Sequence, residues 1–314
     1  MSLPRVSIIT PAYNAAPYLG ATARTVLAQS YVDWEWLIVD DGSTDGTAEI
    51  AAALEDPRVR LIRASHSGLP AVGRNIGIGA ACGDYVALLD ADDLWEPDKL
   101  AEQMAYVAVH PEVGLVFSRF YLWVDSHKRP REVLPDTCGL PNPGWMLPLL
   151  VLKNRIGTSS AVIRRDLIVK AGGFDEDVRQ RATEDYELWL RLAALAPFGY
   201  VDRPLSWYRI HSTNISDRQL SLMSGHVLAL EKTFRRQPEL YDQPELSAAR
   251  MTARKLRWLG SGRLLDGVDD CGWHDLLQSL KIWPADSETW KLFALSFLGA
   301  RGIKVLRRIS RLLH

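Results

Sequence analysis

Three carboxylates stand close together directly after an uncharged run in the sequence. Asp90, Asp92 and Asp93 follow residues 85–89, which are uncharged and mostly apolar. A run of this kind, bounded by a glycine and a polar turn, is typical of a strand buried on both faces. Acids at its tip repel one another unless a cation lies between them, and carboxylates are ligands that Mg²⁺ and Mn²⁺ prefer. The alternative is a solvated acidic turn before a helix that begins at Pro97.

Three further apolar segments precede polar residues. Strands are predicted at residues 6–10, 34–39 and 59–63, and Pro11 is expected to end the first of them. Helices are predicted at 16–29 and 70–81. A third helix is expected after the second strand, with Thr44 or Asp45 as its cap. This alternation predicts a parallel sheet with right-handed crossovers and helices on both faces. Ligands bind beyond the carboxyl ends of strands in such sheets. A binding site is therefore expected where the polar clusters meet, at residues 10–14, 40–41, 65–68 and 90–93.

Length and composition limit the class of protein. With 314 residues and 47% hydrophobic content, the chain is expected to form two domains, or one domain with an appendage. The net charge of −1 gives no indication of a nucleic acid partner. Three cysteines at unrelated spacings indicate a reducing compartment. No signal-peptide pattern precedes the first strand and no apolar run approaches the ~18 residues of a spanning helix, so we expect a cytoplasmic protein.

Four motifs in this order resemble those of family 2 glycosyltransferases. They are VSIITPAYN at residues 6–14, VDDGSTDGT at 39–47, GRNIG at 73–77 and LDADD at 89–93. Their order and spacing are specific, whereas any one of them alone would be weak. The resemblance covers about residues 5–215. It implies an inverting enzyme of the GT-A fold, an α/β, Rossmann-like fold with a mostly parallel central sheet flanked by helices, and a nucleotide-diphosphate sugar as donor.

The resemblance also implies roles for single side chains. Asp92 is placed on a divalent metal ion, Mn²⁺ or Mg²⁺, which helps the diphosphate to leave, and Asp93 is a candidate support of that ion. Asp40 or Asp41 is placed against the base of a UDP- or dTDP-sugar, and Asp90 near the ribose. The donor-binding set is Pro11, Tyr13, Asn14, Asp40, Asp41, Arg74, Asp90 and Ala91. From the residues alone, Asp40–Asp41 is also a good turn, and Arg74 equally fits an ordinary surface position.

An acidic pair, Glu184 and Asp185, opens a predicted helix that Thr183 caps. From the residues alone, these acids complement the helix dipole. The resemblance instead implies that Asp185 is the catalytic base and that Glu184 helps to hold the acceptor or a loop.

Residues 207–216 resemble the segment that ends the family's domain. His211 is implied as a contact of the metal or the diphosphate, since imidazole binds Mn²⁺. The alternative is a solvated side chain. Arg209 and Asn214 are expected to help close a loop over the donor.

The rest of the chain is expected to be a loop and then helices. Residues 125–143 are polar and rich in Pro and Gly, which is typical of a mobile loop, and we expect this loop to lie near the acceptor. Helices are predicted at 220–236, 245–259, 273–282 and 287–298 as an all-helical region. Residues 301–314 carry five Lys or Arg and no acid. Because of this basic composition, we expect the tail either to contact an anionic membrane peripherally or to pack on the catalytic domain.

Together these patterns predict a donor-binding half at 1–105, an acceptor-binding half at 106–217 and a helical region at 218–314. The family's processive members carry transmembrane helices and a Gln-x-x-Arg-Trp motif. Arg257–Trp258 lacks that glutamine, so transfer of one sugar to a cell-surface glycan or lipid-linked precursor is expected, at the inner face of the membrane. A sugar-phosphate nucleotidyltransferase would need a Gly-rich basic loop at 11–15, which is absent. The non-enzymatic alternative is a scaffold protein that binds a nucleotide but has no catalytic activity.

Overall fold

The computed structural model describes residues 5–124, 132–135, 139–211, 218–267 and 272–297. They divide into two compact units, each described here by itself. The first unit comprises Met1–Leu150, Arg155–Glu176 and Leu188–Ser212. The second comprises Val151–Asn154, Asp177–Glu187 and Thr213–His314.

Strands and helices alternate over the first half of the chain, as the sequence predicts. The strands are β1 (Val6–Ala12), β2 (Trp34–Asp40), β3 (Val59–Arg63), β4 (Tyr85–Leu88), β5 (Leu94–Trp95), β6 (Leu115–Val124), β7 (Glu132–Leu134), β8 (Val162–Arg164) and β9 (Phe198–Ile210). The helices are α1 (Ala16–Leu27), α2 (Thr47–Ala52), α3 (Pro70–Ala80), α4 (Lys99–Val109), α5 (Leu147–Leu152), α6 (Arg165–Ala171), α7 (Glu184–Ala193), α8 (Gln219–Arg236), α9 (Ala248–Asp266), α10 (Gly272–Ile282) and α11 (Ser287–Ser296).

The nine strands form one sheet in the first unit. Its order is β3-β2-β1-β4-β8-β6-β9-β5, with β7 paired to β6. The first four strands of this order are parallel, and β8 runs antiparallel to both β4 and β6. The predicted α/β class is therefore confirmed. Because β1 to β4 are parallel, their carboxyl ends meet at one edge, and this edge positions the polar clusters.

Strand β1 runs further than predicted, because Pro11 continues it instead of ending it. Pro11 pairs with Val39 of β2, whereas the pairing of β1 with β4 ends at Ile9. A proline has no N–H to donate, so it fits where a strand has a neighbour on one side only. The strand thereby delivers Ala12, and Tyr13 after it, to the edge.

Helix α3 lies close against β1 because of a glycine. A Cβ added at Gly77 would lie 2.5 Å from Ile9 Cγ2. This close approach, which a larger residue would prevent, fixes the helix that carries Arg74.

Several local predictions are wrong. Part of the predicted loop 125–143 is strand β7, while residues 125–131 and 136–138 lie outside the described residues. A 3₁₀ turn, Thr158–Ser160, precedes β8. Helix α2 is capped by Gly46, although the Asp45 carboxylate does accept from Thr47 N at 3.1 Å.

The second unit is helical where it is described. Helix α9 packs against α8 and α10, and Ser279 of α10 donates to the carbonyl of Ala253 at 2.8 Å. Arg257 forms a partly buried ion pair with Asp286 at 2.7 Å. Within the described residues, no helix is long and apolar enough to cross a bilayer. The basic tail at 301–314 lies outside the described residues.

Candidate active site

The sheet edge brings Arg74 of α3 to Asp90 at the end of β4. Arg74 Nη2 donates to Asp90 Oδ1 at 2.7 Å. The arginine side chain is 5% exposed, so the alternative of an ordinary surface residue is wrong for Arg74. Its guanidinium also lies 5.3 Å from the ring centre of Phe174. A guanidinium held in this way orients the carboxylate that it contacts.

Asp92 and His211 meet at the same edge, although 118 residues separate them in the sequence. The distance from His211 Nε2 to Asp92 Oδ2 is 2.9 Å. The imidazole is 9% exposed and stacks on Tyr18 of α1 at 4.4 Å between ring centres. The alternative of a solvated histidine is therefore wrong, because the ring is held on one face and at one nitrogen.

Arg209 fixes the backbone beneath this pair. Its Nε donates to the carbonyl of Asp92 at 2.8 Å, and its backbone N–H donates to Asp93 Oδ1 at 3.0 Å. The guanidinium lies 5.2 Å from the ring centre of Tyr18 and 4.5 Å from that of Trp123. Arg209 is buried and supports the turn that carries Asp92 and Asp93. Its expected role in closing a loop over the donor stays a prediction. Asn214 lies outside the described residues.

Asp93 is buried directly behind the edge. Ser159 donates to Asp93 Oδ2 at 2.5 Å, and Ser159 Oγ accepts from the backbone N–H of Asp90 at 3.1 Å. Burial, and then the charges of Asp92 and Asp90, raise the pKa of the Asp93 carboxyl well above its usual value. Both Asp93 oxygens are therefore engaged inside the protein, where they brace the turn that presents Asp90 and Asp92.

We expect Ser159→Ala to lower the free energy of unfolding by about 1–3 kcal/mol, because it leaves a buried carboxyl and a buried N–H without their partner. Denaturant unfolding at neutral pH measures this change. Ser118→Ala is the matched control. Ser118 is also fully buried, but its hydroxyl has no hydrogen-bond partner among the described residues, so its loss should cost little. Equal losses in the two variants would show that Ser159 does not brace Asp93.

The predicted base-binding residues lie at the ends of β1 and β2. Tyr13 is half-exposed and stacks on His66 at 4.1 Å. Asp41 accepts hydrogen bonds from the backbone N–H groups of Ser67, at 2.7 Å, and Gly68, at 3.0 Å. His66 Nδ1 also lies 3.1 Å from Asp41 Oδ2. Tyr13, His66 and Asp41 thus form a continuous polar and aromatic group.

The remaining predicted donor residues surround this group. Asp40 is buried and accepts from the Ser43 N–H at 3.3 Å. Asn14 accepts from the Thr44 N–H at 2.9 Å, and its φ of 49° is positive. Asparagine tolerates this conformation better than most residues. Pro11 is half-buried within β1 and Ala91 is buried between Asp90 and Asp92.

The acidic pair belongs to the second unit, at the start of α7. Glu184 is buried, whereas Asp185 is half-buried. Ala182, just before the pair, has a φ of 72°. In the described residues it is the one non-glycine besides Asn14 with positive φ, a strained conformation that tends to occur at functional sites. Both such residues therefore fall in or beside motifs that the sequence singles out.

Helix α8 holds this strained turn. The Thr183 hydroxyl lies 3.0 Å from the carbonyl of Gln180. A Cβ added at Gly225 of α8 would lie 2.2 Å from Thr183 Oγ1, so only glycine allows this contact. Glu187 is fully buried and pairs with Arg236 of α8 at 2.8 Å. Sequence reasoning missed these supports, because no local pattern links Gly225 to a turn about 40 residues earlier.

A divalent ion fits the donors at the sheet edge. Asp92 offers a carboxylate and His211 an imidazole, both of which bind Mn²⁺. Among the described residues, no group of three or more His, Cys, Asp or Glu side chains is arranged to hold a metal. Two protein ligands suit an ion that takes its other ligands from substrate phosphates and water, as Mg²⁺ commonly does.

Part of the chain is similar in sequence to known glycosyltransferases. The model of the family described as "Glycosyl transferase family 2" matches residues 7–164. A putative teichuronic acid biosynthesis glycosyltransferase of Bacillus subtilis (strain 168) is 45% identical over 106 residues, which are 33% of this chain and 42% of the relative. The chain thus spans less than half of that relative's length.

Solved structures with the same fold include two glycosyltransferases. TarS of S. aureus in complex with UDP-GlcNAc has a TM-score of 0.58 and 15% identity, with 91% of each chain covered. A mannosyltransferase of Pyrobaculum calidifontis in complex with GDP-Man and Mn²⁺ has a TM-score of 0.61 and 20% identity, with 97% of this chain and 87% of that chain covered. At these identities the likeness shows the fold, and the expected GT-A fold is confirmed.

Proposed function

The chain belongs to glycosyl transferase family 2, and from this premise we propose that it moves one sugar from a nucleotide-diphosphate sugar to an acceptor hydroxyl with inversion. The contact between Asp92 and His211 carries the proposal. It joins two motifs from distant parts of the chain at the edge where α/β sheets bind ligands.

The donor side of the reaction follows from the sheet edge. Arg74 holds Asp90, which is proposed to bind the ribose, and the group of Tyr13, His66 and Asp41 offers an aromatic face and polar atoms to the base. Asp40 stays the other candidate for the base contact. Asp92 and His211 would hold Mn²⁺ or Mg²⁺, which when bound supplies positive charge against the departing diphosphate.

The acceptor side depends on the acidic pair. Asp185, the less buried of the two, is proposed to take the proton of the acceptor hydroxyl as its oxygen attacks the anomeric carbon. The bond from that carbon to the diphosphate breaks on the opposite side, and its electron pair leaves with the phosphate oxygen. Glu184 is proposed to hold the acceptor or a loop.

The setting of the reaction is also a proposal. The name of the relative from Bacillus subtilis assigns it to teichuronic acid biosynthesis, which supports a cell-surface glycan or its lipid-linked precursor as acceptor. We propose a donor-binding half at 1–105, an acceptor-binding half at 106–217 and a helical region at 218–314. The basic composition of residues 301–314 supports a location at the cytoplasmic face of an anionic membrane.

A panel of UDP-, dTDP- and GDP-sugars tests this function. We expect one nucleotide class to raise the melting temperature in the presence of Mn²⁺ or Mg²⁺, and EDTA to abolish the shift, because binding to the folded state alone stabilises it. The donor identified in this way is then incubated with acceptor glycans, and NMR of the new anomeric proton reports inversion. A protein that no nucleotide stabilises, with or without metal, contradicts the proposal, and a product with retained configuration contradicts the mechanism.

A further inference from the structure

The interior of the first unit contains a lysine that the proposed reaction does not use. Lys99, the first residue of α4, is 0% exposed. Its Nζ donates to Gln103 Oε1 at 2.7 Å and lies 4.1 Å from the ring centre of Trp95. Burial lowers the pKa of this amino group well below its usual value. An apolar side chain would fill the same space without the penalty of burying an amine, so the contacts of the amine indicate its role.

Lys99 fixes the orientation of the Gln103 side-chain amide. Gln103 is also fully buried, and its Nε2 donates to the carbonyls of Ser160, at 2.8 Å, and Val116, at 3.2 Å. Because these two oxygens can only accept, the amide has to turn its own oxygen toward Lys99, and the amine has to donate. Among the described residues, Lys99 is the only donor to this oxygen.

The two side chains that Lys99 contacts both hold the serine turn, the name used here for the 3₁₀ turn Thr158–Ser160. Trp95 Nε1 donates to the carbonyl of Ser159 at 2.7 Å. Gln103 holds the carbonyl of the following residue. Two consecutive carbonyls of the serine turn are thus fixed by side chains that meet at Lys99.

The serine turn in its turn holds the carboxylates at the sheet edge. Ser159 Oγ donates to Asp93 Oδ2 at 2.5 Å and accepts from the backbone N–H of Asp90 at 3.1 Å. A displacement of the serine turn therefore displaces Asp90, and with it Asp92, two residues later. A continuous set of contacts leads from a fully buried amine to the proposed metal ligand.

We propose that Lys99 is a positioning residue for Asp90 and Asp92. Through Trp95 and Gln103 it fixes the serine turn, and the serine turn fixes the acids. Because Lys99 is fully buried, it acts through these contacts and not on the substrate. The inference deepens the proposed function: it rests on that function for the effect on catalysis, but not for the effect on the geometry of the acids.

Lys99→Met tests the inference, because methionine has a similar length and lacks the amine. Two effects on global stability oppose each other, since the Gln103 oxygen loses its donor but the fold no longer has to bury an amine. The melting temperature should therefore stay within about 3 °C of the wild-type value. Hydrogen exchange followed by mass spectrometry should nevertheless be at least about threefold faster in peptides from residues 88–93 and 156–161.

Turnover is the second readout. With the donor and acceptor identified for the wild type, Lys99→Met should lower kcat by about tenfold or more, since small displacements of catalytic groups are enough for such losses. Gln103→Met removes the donor to two buried carbonyls, so it should speed exchange in the same peptides and also lower the melting temperature. Lys170→Met is the matched control. Lys170 is exposed on α6 in the same unit, and its replacement should change neither local exchange nor kcat.

Exchange measured without ligand separates this inference from the proposed function. Wild-type exchange rates at residues 88–93 and 156–161 in Lys99→Met would overturn the inference. A large fall in melting temperature with exchange raised evenly throughout the first unit would also overturn it, because Lys99 would then support the fold alone. Unchanged kcat in Lys99→Met would show that the acids keep their positions without the amine. A wild type without transferase activity contradicts the proposed function, and the exchange result then decides about Lys99.

Discussion

Asp185→Asn is expected to lower kcat by about 10²–10⁴-fold, because an amide cannot take the proton of the acceptor hydroxyl. The affinity for the nucleotide sugar should stay within about twofold, since Asp185 is proposed to act on the acceptor and the change is isosteric. Steady-state kinetics with the donor and acceptor found in the panel measure kcat, and the thermal shift measures donor binding. The combination of lost turnover and retained donor binding is specific to a role in the chemical step.

A matched control separates catalysis from helix stability. Asp166 is also an acid in the first turn of a helix, α6, and its side chain is 66% exposed. Asp166→Asn removes the same favourable interaction with the helix dipole, which contributes about 0.3–1 kcal/mol. It should leave kcat unchanged. If Asp185→Asn retains turnover while Glu184→Gln loses it, the base is Glu184 and the assignment to Asp185 is wrong.

Asp92→Asn is expected to remove the response to metal. An amide is a weaker ligand than a carboxylate, so Mn²⁺ should no longer increase the melting temperature in the presence of the donor. Since Lewis-acid stabilisation contributes several kcal/mol to the transition state, kcat should fall on the order of 10³-fold. The fold should persist, because asparagine can still form the hydrogen bond to His211.

Asp98→Asn serves as the control for the loss of one negative charge in the first unit. Asp98 is 40% exposed and pairs with Arg203 at 2.8 Å. Its replacement should change neither the metal response nor kcat. Retention of a full metal-dependent shift in Asp92→Asn would show that Asp92 is not a metal ligand, whatever the effect on turnover.

The sequence predicted those elements best whose boundaries are set by local chemistry. Strand β3 begins and ends at the predicted residues, because alternation and flanking polar residues define it without help from the rest of the chain. The predictions from the sequence were wrong for elements whose boundaries depend on pairing with strands from distant parts of the chain. Pro11 stays in a strand because β4 ends early beside it, and β7 exists because β6 offers it an edge.

The candidate site also contains residues that could be predicted from the sequence and residues that could not. Its motif residues could be named from the sequence, since each follows a strand or opens a helix. Their supports could not be named. Ser159 reaches Asp93 across 66 positions, and Tyr18 reaches His211 across 193. No periodicity encodes such contacts, so a serine in a turn and a tyrosine in a helix give no warning of their role.

The contact between Gly225 and Thr183 has a consequence for how such chains can be recombined. The family model ends at residue 164, yet the turn that carries the acidic pair packs on α8, far beyond that limit. A hybrid protein that takes α8 from another parent inherits whatever residue that parent has at position 225. Any side chain there meets Thr183 and shifts the acids. Residues 177–187 and α8 should therefore come from the same parent in any hybrid protein that is made to change the acceptor.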